Sequence, residues 1–334
     1  MSSERLPALD GLRAISILLV LACHMLPLGP KVLQLNEAAG AMGMSLFFAL
    51  SGFLIVSGLI YNADVPEFLV RRLTRIVPLA YAYTVFVFGV LFFDPKTIFW
   101  MASFLLNYRG EMNTYNAHFW SLCVEVHFYL SIAIVVAVAG KKGIWIVWPA
   151  CLAVTVLRIS VGESAYYNIE THLRLDELLS GACVATLYQK SWSDRAPVPV
   201  WLVALAALSW FASGSSYSGW FQYLRPYTTA LLLSAVISHG RTLLAAFLAS
   251  RAMRYIATIS YALYVIHPLT VQGWWNEGST FDRYILKRPI SFAMTFIAAH
   301  ISTFYWERFW IQMGKQWIQQ RRRRQLLAES IARD

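Results

Sequence analysis

Among the ionisable side chains inside apolar runs, where a hydrocarbon surrounding makes each cost several kcal/mol unless it is paired or hydrated, are His24, Glu125 and His267. An imidazole with a carboxylate near it is the pairing used for proton transfer or acyl capture. The ring acts as base or nucleophile and the carboxylate orients it. His24 shares its segment, ALDGLRAISILLVLACHMLPL at 8–28, with Arg13. The two are eleven positions apart, which is three helical turns plus about 20°, so they share a face about 16 Å apart along the axis. A second cationic pair, Arg72 and Arg75, has the i, i+3 spacing that puts two guanidinium forks on one helix face. That geometry suits bidentate binding of phosphate. Charge alone equally allows Arg71, Arg72 and Arg75 to be an ordinary membrane stop signal.

The elements that position these groups are membrane helices. The chain has 334 residues, 58% of them hydrophobic and only 14% charged, against roughly 25% charged in a soluble domain. Apolar runs long enough to cross about 30 Å of hydrocarbon recur throughout. The pattern predicts an all-α, polytopic transmembrane bundle of about ten spans, at 11–28, 38–61, 76–93, 119–139, 143–161, 173–188, 198–213, 224–239, 255–275 and 290–310. The first span is too long in its core, and followed by too many others, for a cleaved leader. The apolar piece at 98–106 is too short to span and is expected to lie in the interface.

The net charge of +10 would suit nucleic acid, but the basic residues sit in short clusters between spans, so no nucleic-acid partner is expected. With both termini cytoplasmic, the inner side takes Arg5, Arg13, Arg71, Arg72, Arg75, Lys141, Lys142, Lys190, Arg195, Arg241, Arg251, Arg254, Arg308, Lys315, Arg321 to Arg324 and Arg333. That is most of the 28 basic residues, as the positive-inside rule requires. Residues 1–314 read as one integral-membrane domain, and 315–334 as a basic cytoplasmic tail expected to rest on anionic lipid. Cys23, Cys123, Cys151 and Cys183 lack zinc spacing, and no metal site is expected. On this topology Glu125 lies about 9 Å and His267 about 18 Å inside their spans, so both are expected near the level of His24.

The stretches ALDGLRAISILLVLACH, SLFFALSGFLI, FLVRRLTRIVPLAY, HFWSLCVEVHFYL, SYALYVIHP and YWERFW follow one another in that order. Together they resemble acyltransferase family 3, integral-membrane enzymes that O-acylate bacterial surface polysaccharides and some small molecules. The resemblance covers nearly the whole chain. It rests on an Arg and a His separated by ten residues, an R-x-x-R and a W-S-L-x-x-E.

The resemblance implies a multi-pass protein of the bacterial inner membrane, with acyl-coenzyme A, usually acetyl-coenzyme A, as donor. Its partners would be the lipid bilayer and a carbohydrate or other hydroxyl acceptor on the outer side. Arg13, Arg72 and Arg75 would hold the donor phosphates, and His24 would be general base or nucleophile, supported by Glu125. His267, Tyr261 and Tyr264 would stabilise the oxyanion or bind acceptor, and Trp120, Ser121, Arg174 and Asp176 would complete the acceptor site. Some members carry a further hydrolase-like domain after the membrane part; none is expected within these residues. Plainer readings stand beside these. His267 and His300 can serve as interhelical hydrogen-bond groups, Glu125 can be a structural partner of Arg174, and Trp120 can be an interface anchor. The rival function is a transporter of a lipid-linked glycan or small solute, with the His and Glu residues as a proton relay.

Overall fold

The computed structural model describes residues 6–162, 168–188, 198–215, 217–238 and 242–331. Arg5, Lys190, Arg195, Arg241 and Arg333 of the charge pattern, His239 of the eighth expected span and positions 163–167 lie outside these residues.

Among the described residues every regular element is helical. In order they are α1 (Pro7–Met25), α2 (Leu35–Tyr61), α3 (Val65–Thr84), α4 (Pro95–Ala102), α5 (Leu106–Arg109), α6 (Phe119–Ala139) and α7 (Val147–Val161). Then come α8 (Leu175–Tyr188), α9 (Val200–Ala212), α10 (Phe221–Ser238), α11 (Leu243–Leu248), α12 (Arg251–Ile266), α13 (Arg288–Ile301) and α14 (Arg308–Ile331). Among the described residues four helical runs are long and apolar enough to cross a membrane: Pro7–Met25, Lys31–Tyr61, Val65–Leu91 and Phe119–Val161. The protein is a helical membrane protein.

Local chemistry sets the helix ends. Asp64, Asp94, Thr242 and Ser250 cap α3, α4, α11 and α12 by accepting from a backbone N–H three residues on. The α1 helix stops at Met25 because Leu26 precedes Pro27 and takes an extended conformation. Its last carbonyls are taken by Asn36 at the start of α2, whose Nδ2 donates to Cys23 O at 2.8 Å and Leu26 O at 2.6 Å. The run 119–161 is divided at Gly140, whose φ of +61° turns the chain from α6 towards α7.

The α2 helix is the hub, packed against α1 on one side and α8 on another. Backbones touch at the α2–α8 crossing. A Cβ on Gly52 would meet Leu178 O at 1.8 Å, and one on Gly181 would meet Ala49 O at 1.8 Å. Small residues permit this approach where no aqueous hydrophobic effect drives helices together.

Among the boundaries that differ from the sequence reading are two in the C-terminal part. The ninth expected span, 255–275, ends as an α-helix at Ile266, because Pro268 cannot continue the ladder. The tenth does not end at 310. From α13 a π-helical stretch, Ser302–Glu307, leads directly into α14, so the basic tail is the far half of one helix. Nor are all its arginines left to lipid. Arg321 donates to both Asp64 oxygens at 2.8 and 2.6 Å, and Arg322 to Glu67 Oε2 at 3.1 and 2.6 Å. Glu67 Oε1 takes Arg71 at 2.9 and 2.7 Å. Partial burial works against the charged Asp64 carboxylate, but the Glu67 N–H and Arg321 hold it below the usual carboxylate range.

The crossing carries a test. Gly181→Leu should destabilise the detergent-solubilised protein by about 3 kcal/mol or more, whereas Gly58→Leu, where an added Cβ meets nothing within 4 Å, should leave the thermal midpoint near wild type. Monodispersity after heating reads both.

Candidate active site

Three helix termini meet at one end of the bundle, and each brings an imidazole. His24 stands in the last turn of α1, His118 at the N-cap of α6 and His267 directly after α12. The His24 and His267 ring centroids are 5.1 Å apart, and those of His118 and His267 5.5 Å. Pro268 has no N–H, so the Tyr264 carbonyl loses its helical partner, and His267 Nδ1 takes that place at 2.7 Å. A carbonyl only accepts, so the proton is on Nδ1. In the neutral ring Nε2 then keeps its lone pair, which is the tautomer a base requires.

His118 is buried, and neither ring nitrogen has a hydrogen-bond partner among the described residues. Aromatic faces and edges hold it instead, with Tyr83, Phe119 and Tyr264 at centroid distances of 5.5, 4.9 and 5.5 Å.

His24, His118 and Tyr264 line a cavity of about 460 Å³. Its other walls include Trp120, Arg174, Glu177 and Arg225. His24 is accessible through this cavity, while His267 is buried behind it. The Arg174 guanidinium lies 5.4 Å from the Trp120 ring centroid, and Glu177 holds Arg225 at 2.9 Å and Arg174 at 3.9 Å.

A second cluster occupies the opposite, basic end of α1. Arg13 stands within electrostatic reach of Arg72, Arg75 and Glu125. Arg72 also lies 5.7 Å from the Tyr129 ring centroid. The three arginines expected together are together. Between the clusters, Ser16, Ile17, Val20, Met44, Phe47 and Ser260 close around a void of only about 10 Å³, room for a single water at most. Phe47 stacks on Tyr264 there, with centroids 6.3 Å apart.

Several expected roles are placed differently. Glu125 does not reach His24; it lies two turns inside α6 from His118, buried among Arg13, Tyr129 and Tyr261. The expected depths put both residues near one level, whereas His24 stands in the last turn of α1 and Glu125 two turns inside α6. Asp176 does not line the cavity. Its carboxylate accepts from Arg158 Nη1 at 2.6 Å, with both side chains fully buried. Pro226 frees the Gln222 carbonyl within α10, and Arg158 Nη2 reaches it at 3.5 Å.

Tyr264 lines the cavity, but its hydroxyl is occupied, donating to His118 O at 2.5 Å and bonded to Ser121 Oγ at 2.6 Å. Ser121 thus secures the first turn of α6. The Tyr261 hydroxyl donates to Ile76 O at 2.6 Å and ties α12 to α3. Trp120 and Arg174 do face the cavity. His300, weighed with His267, bonds Tyr255 at 3.0 Å on the exposed side. Sequence reasoning missed His118, Asn36 and Arg225. Of these only His118 carried a signal, as the residue opening the W-S-L-x-x-E stretch.

Clustered imidazoles at a cavity are thus joined by one helix to clustered arginines within a helical membrane protein. The chain belongs to the acyltransferase family described as the acyltransferase domain, matched over residues 6–306. Among its relatives is O-acetyltransferase OatA of Staphylococcus aureus (strain NCTC 8325 / PS 47), 26% identical over 313 residues, covering 80% of this chain and 50% of that protein. Peptidoglycan O-acetyltransferase OatA of Listeria monocytogenes serovar 1/2a is 23% identical over 362 residues, covering 90% of this chain and 55% of that protein. The chain therefore spans about half the length of these curated relatives. No solved structure matches it significantly.

The buried pair separates a structural role from acceptor binding. Asp176→Ala leaves Arg158 charged and alone, which should cost about 3–5 kcal/mol. The apolar double variant Arg158→Met/Asp176→Leu should recover most of that loss. Thermal unfolding in detergent measures both; if the single variant unfolds like wild type, Asp176 has no structural role.

Proposed function

We propose that the protein is an O-acyltransferase of the bacterial plasma membrane, carrying an acyl group, most simply acetyl, from cytoplasmic acyl-coenzyme A to a hydroxyl of a surface glycan. The name of the Listeria monocytogenes relative favours peptidoglycan as that glycan. On this reading the chain crosses the membrane ten times, with both termini and the basic end of α1 cytoplasmic, and the cavity opens outward. The observation that carries the proposal is the single helix α1, which brings Arg13 to the arginine cluster and His24 to the imidazole cluster about 16 Å away.

The chemistry assigns each end its part. Arg13, Arg72 and Arg75 hold the donor's phosphates as charge-assisted hydrogen-bond partners, while Glu125 among them offsets part of their mutual repulsion. The thioester arm follows α1 past Ser16 and Val20, and Met44 and Phe47 move aside to admit it. An acceptor hydroxyl in the cavity gives its proton to an imidazole as its oxygen bonds the thioester carbon. The C–S bond then breaks, and the thiolate recovers that proton from the imidazolium. His24 faces the cavity and is the residue placed to act as base or nucleophile. His267, with its tautomer set by Tyr264, backs His24, and Trp120 and Arg174 receive the acceptor.

Transfer of radiolabelled acetyl from acetyl-coenzyme A by the purified protein tests this. His24→Ala should lower kcat about 10²- to 10⁴-fold, and full activity in that variant would overturn the mechanism. His118→Phe keeps the aromatic packing but removes both ring nitrogens. It should lower kcat about tenfold or more and leave the thermal midpoint close to wild type.

A further inference from the structure

A second pocket opens at the basic end, between α3 and α14. It has a volume of about 160 Å³ and is lined by Arg71, Thr74, Arg75, Ile311, Gly314 and Lys315. Three of these six residues are cationic, and none is acidic. The helices close on it because Gly314 has no side chain: a Cβ there would sit 2.8 Å from Thr74 Oγ1. One wall is held in place from outside, since Glu67 binds Arg71 with one oxygen and Arg322 of α14 with the other. Lys315 and Arg75 make no ion pair among the described residues, and Lys315 is exposed. The pocket thus has a wall fixed by an ion pair and, at Lys315, a cation with no ion pair among the described residues.

Arg75 connects this pocket to the deeper cluster, because it also stands within electrostatic reach of Arg13. Arg71 and Arg75 share a face of α3 at i, i+4, while Arg72 and Arg75 are at i, i+3. A ligand held by all of them must carry anionic groups at two separated places. Coenzyme A has that form, with a diphosphate in its chain and a phosphomonoester on the ribose.

We propose that the α3–α14 pocket is a phosphate site, with Lys315 as its added ligand. Resting on the acyl-coenzyme A reading above, it takes the ribose 3′-phosphate while Arg13 and Arg72 take the diphosphate. Lys315 and Arg71 donate to the phosphate oxygens, with the Thr74 hydroxyl beside them. The α14 helix becomes part of the donor site, and its ion pairs to Asp64 and Glu67 hold that half of the site together. The same chemistry would accept the phosphate of an anionic lipid headgroup.

The full-length protein in detergent, assayed with acetyl-coenzyme A and with its 3′-dephospho analogue, tests the assignment. Lys315→Ala should raise KM for acetyl-coenzyme A about tenfold and leave KM for the dephospho analogue unchanged, while Lys315→Arg should restore the wild-type preference. Native mass spectrometry with added phosphatidylglycerol separates the other source. If Lys315→Ala leaves the KM ratio alone but loses bound phosphatidylglycerol, the phosphate site stands and its ligand is lipid. If both the KM ratio and lipid retention match wild type, the phosphate site is overturned. Wild-type protein that turns over neither coenzyme would remove the donor reading itself, and lipid retention would then decide the pocket alone.

Discussion

A guanidinium cannot shed its charge at any physiological pH, so an arginine on a membrane helix must be given neighbours. Arg13 on α1 is that residue here, and much of the bundle is arranged around it. Its neighbours include two further cations, Arg72 and Arg75, and two carboxylates, Glu125 and Asp10. An excess of positive charge within a membrane protein is unfavourable on stability grounds alone. Under the proposed function the cluster is an anion site, and the missing negative charge arrives with the ligand. The α1, α3 and α6 helices each contribute to this cluster, so their relative placement follows from it.

The far end of α1 shows the complementary arrangement, with polar groups satisfied by their own backbone rather than by ions. Three helices terminate there, and each termination releases backbone groups that need partners. Asn36 takes those of α1, and Tyr264 and Ser121 secure the first turn of α6. His267 takes the carbonyl that Pro268 leaves open. His267 is thereby held by a capping interaction and His118 by aromatic rings, while His24 and His118 line the cavity. The plug of Val20, Met44 and Phe47 keeps the two ends apart. On the proposed reading a charged donor binds at one face and a neutral hydroxyl at the other, with this plug between them.

Much of this was legible in the sequence because it depends on local spacing. The shared face of Arg13 and His24, the R-x-x-R pair and the apolar runs all follow from helical periodicity. What escaped depends on where helices end and on what distant segments meet. Glu125 was expected beside His24 because a few residues of uncertainty at a helix end amount to a full turn in depth. His118 sits at that boundary and looked like a flank. The Arg321–Asp64 and Arg322–Glu67 pairs join positions more than 250 residues apart, and Arg158 reads as an ordinary charge until it is seen sealed against Asp176. The phosphate-sized pocket at Lys315 exists only because Gly314 lets α14 approach α3.

Sidedness is the central claim, and one measurement addresses it directly. Purified protein is reconstituted in sealed vesicles of known orientation, with labelled acetyl-coenzyme A confined to the side bearing α14 and a glycan acceptor confined to the other. The account predicts labelled acceptor across the membrane, with both compartments still sealed at the end. Label that reaches the acceptor only when donor and acceptor share one compartment would contradict it.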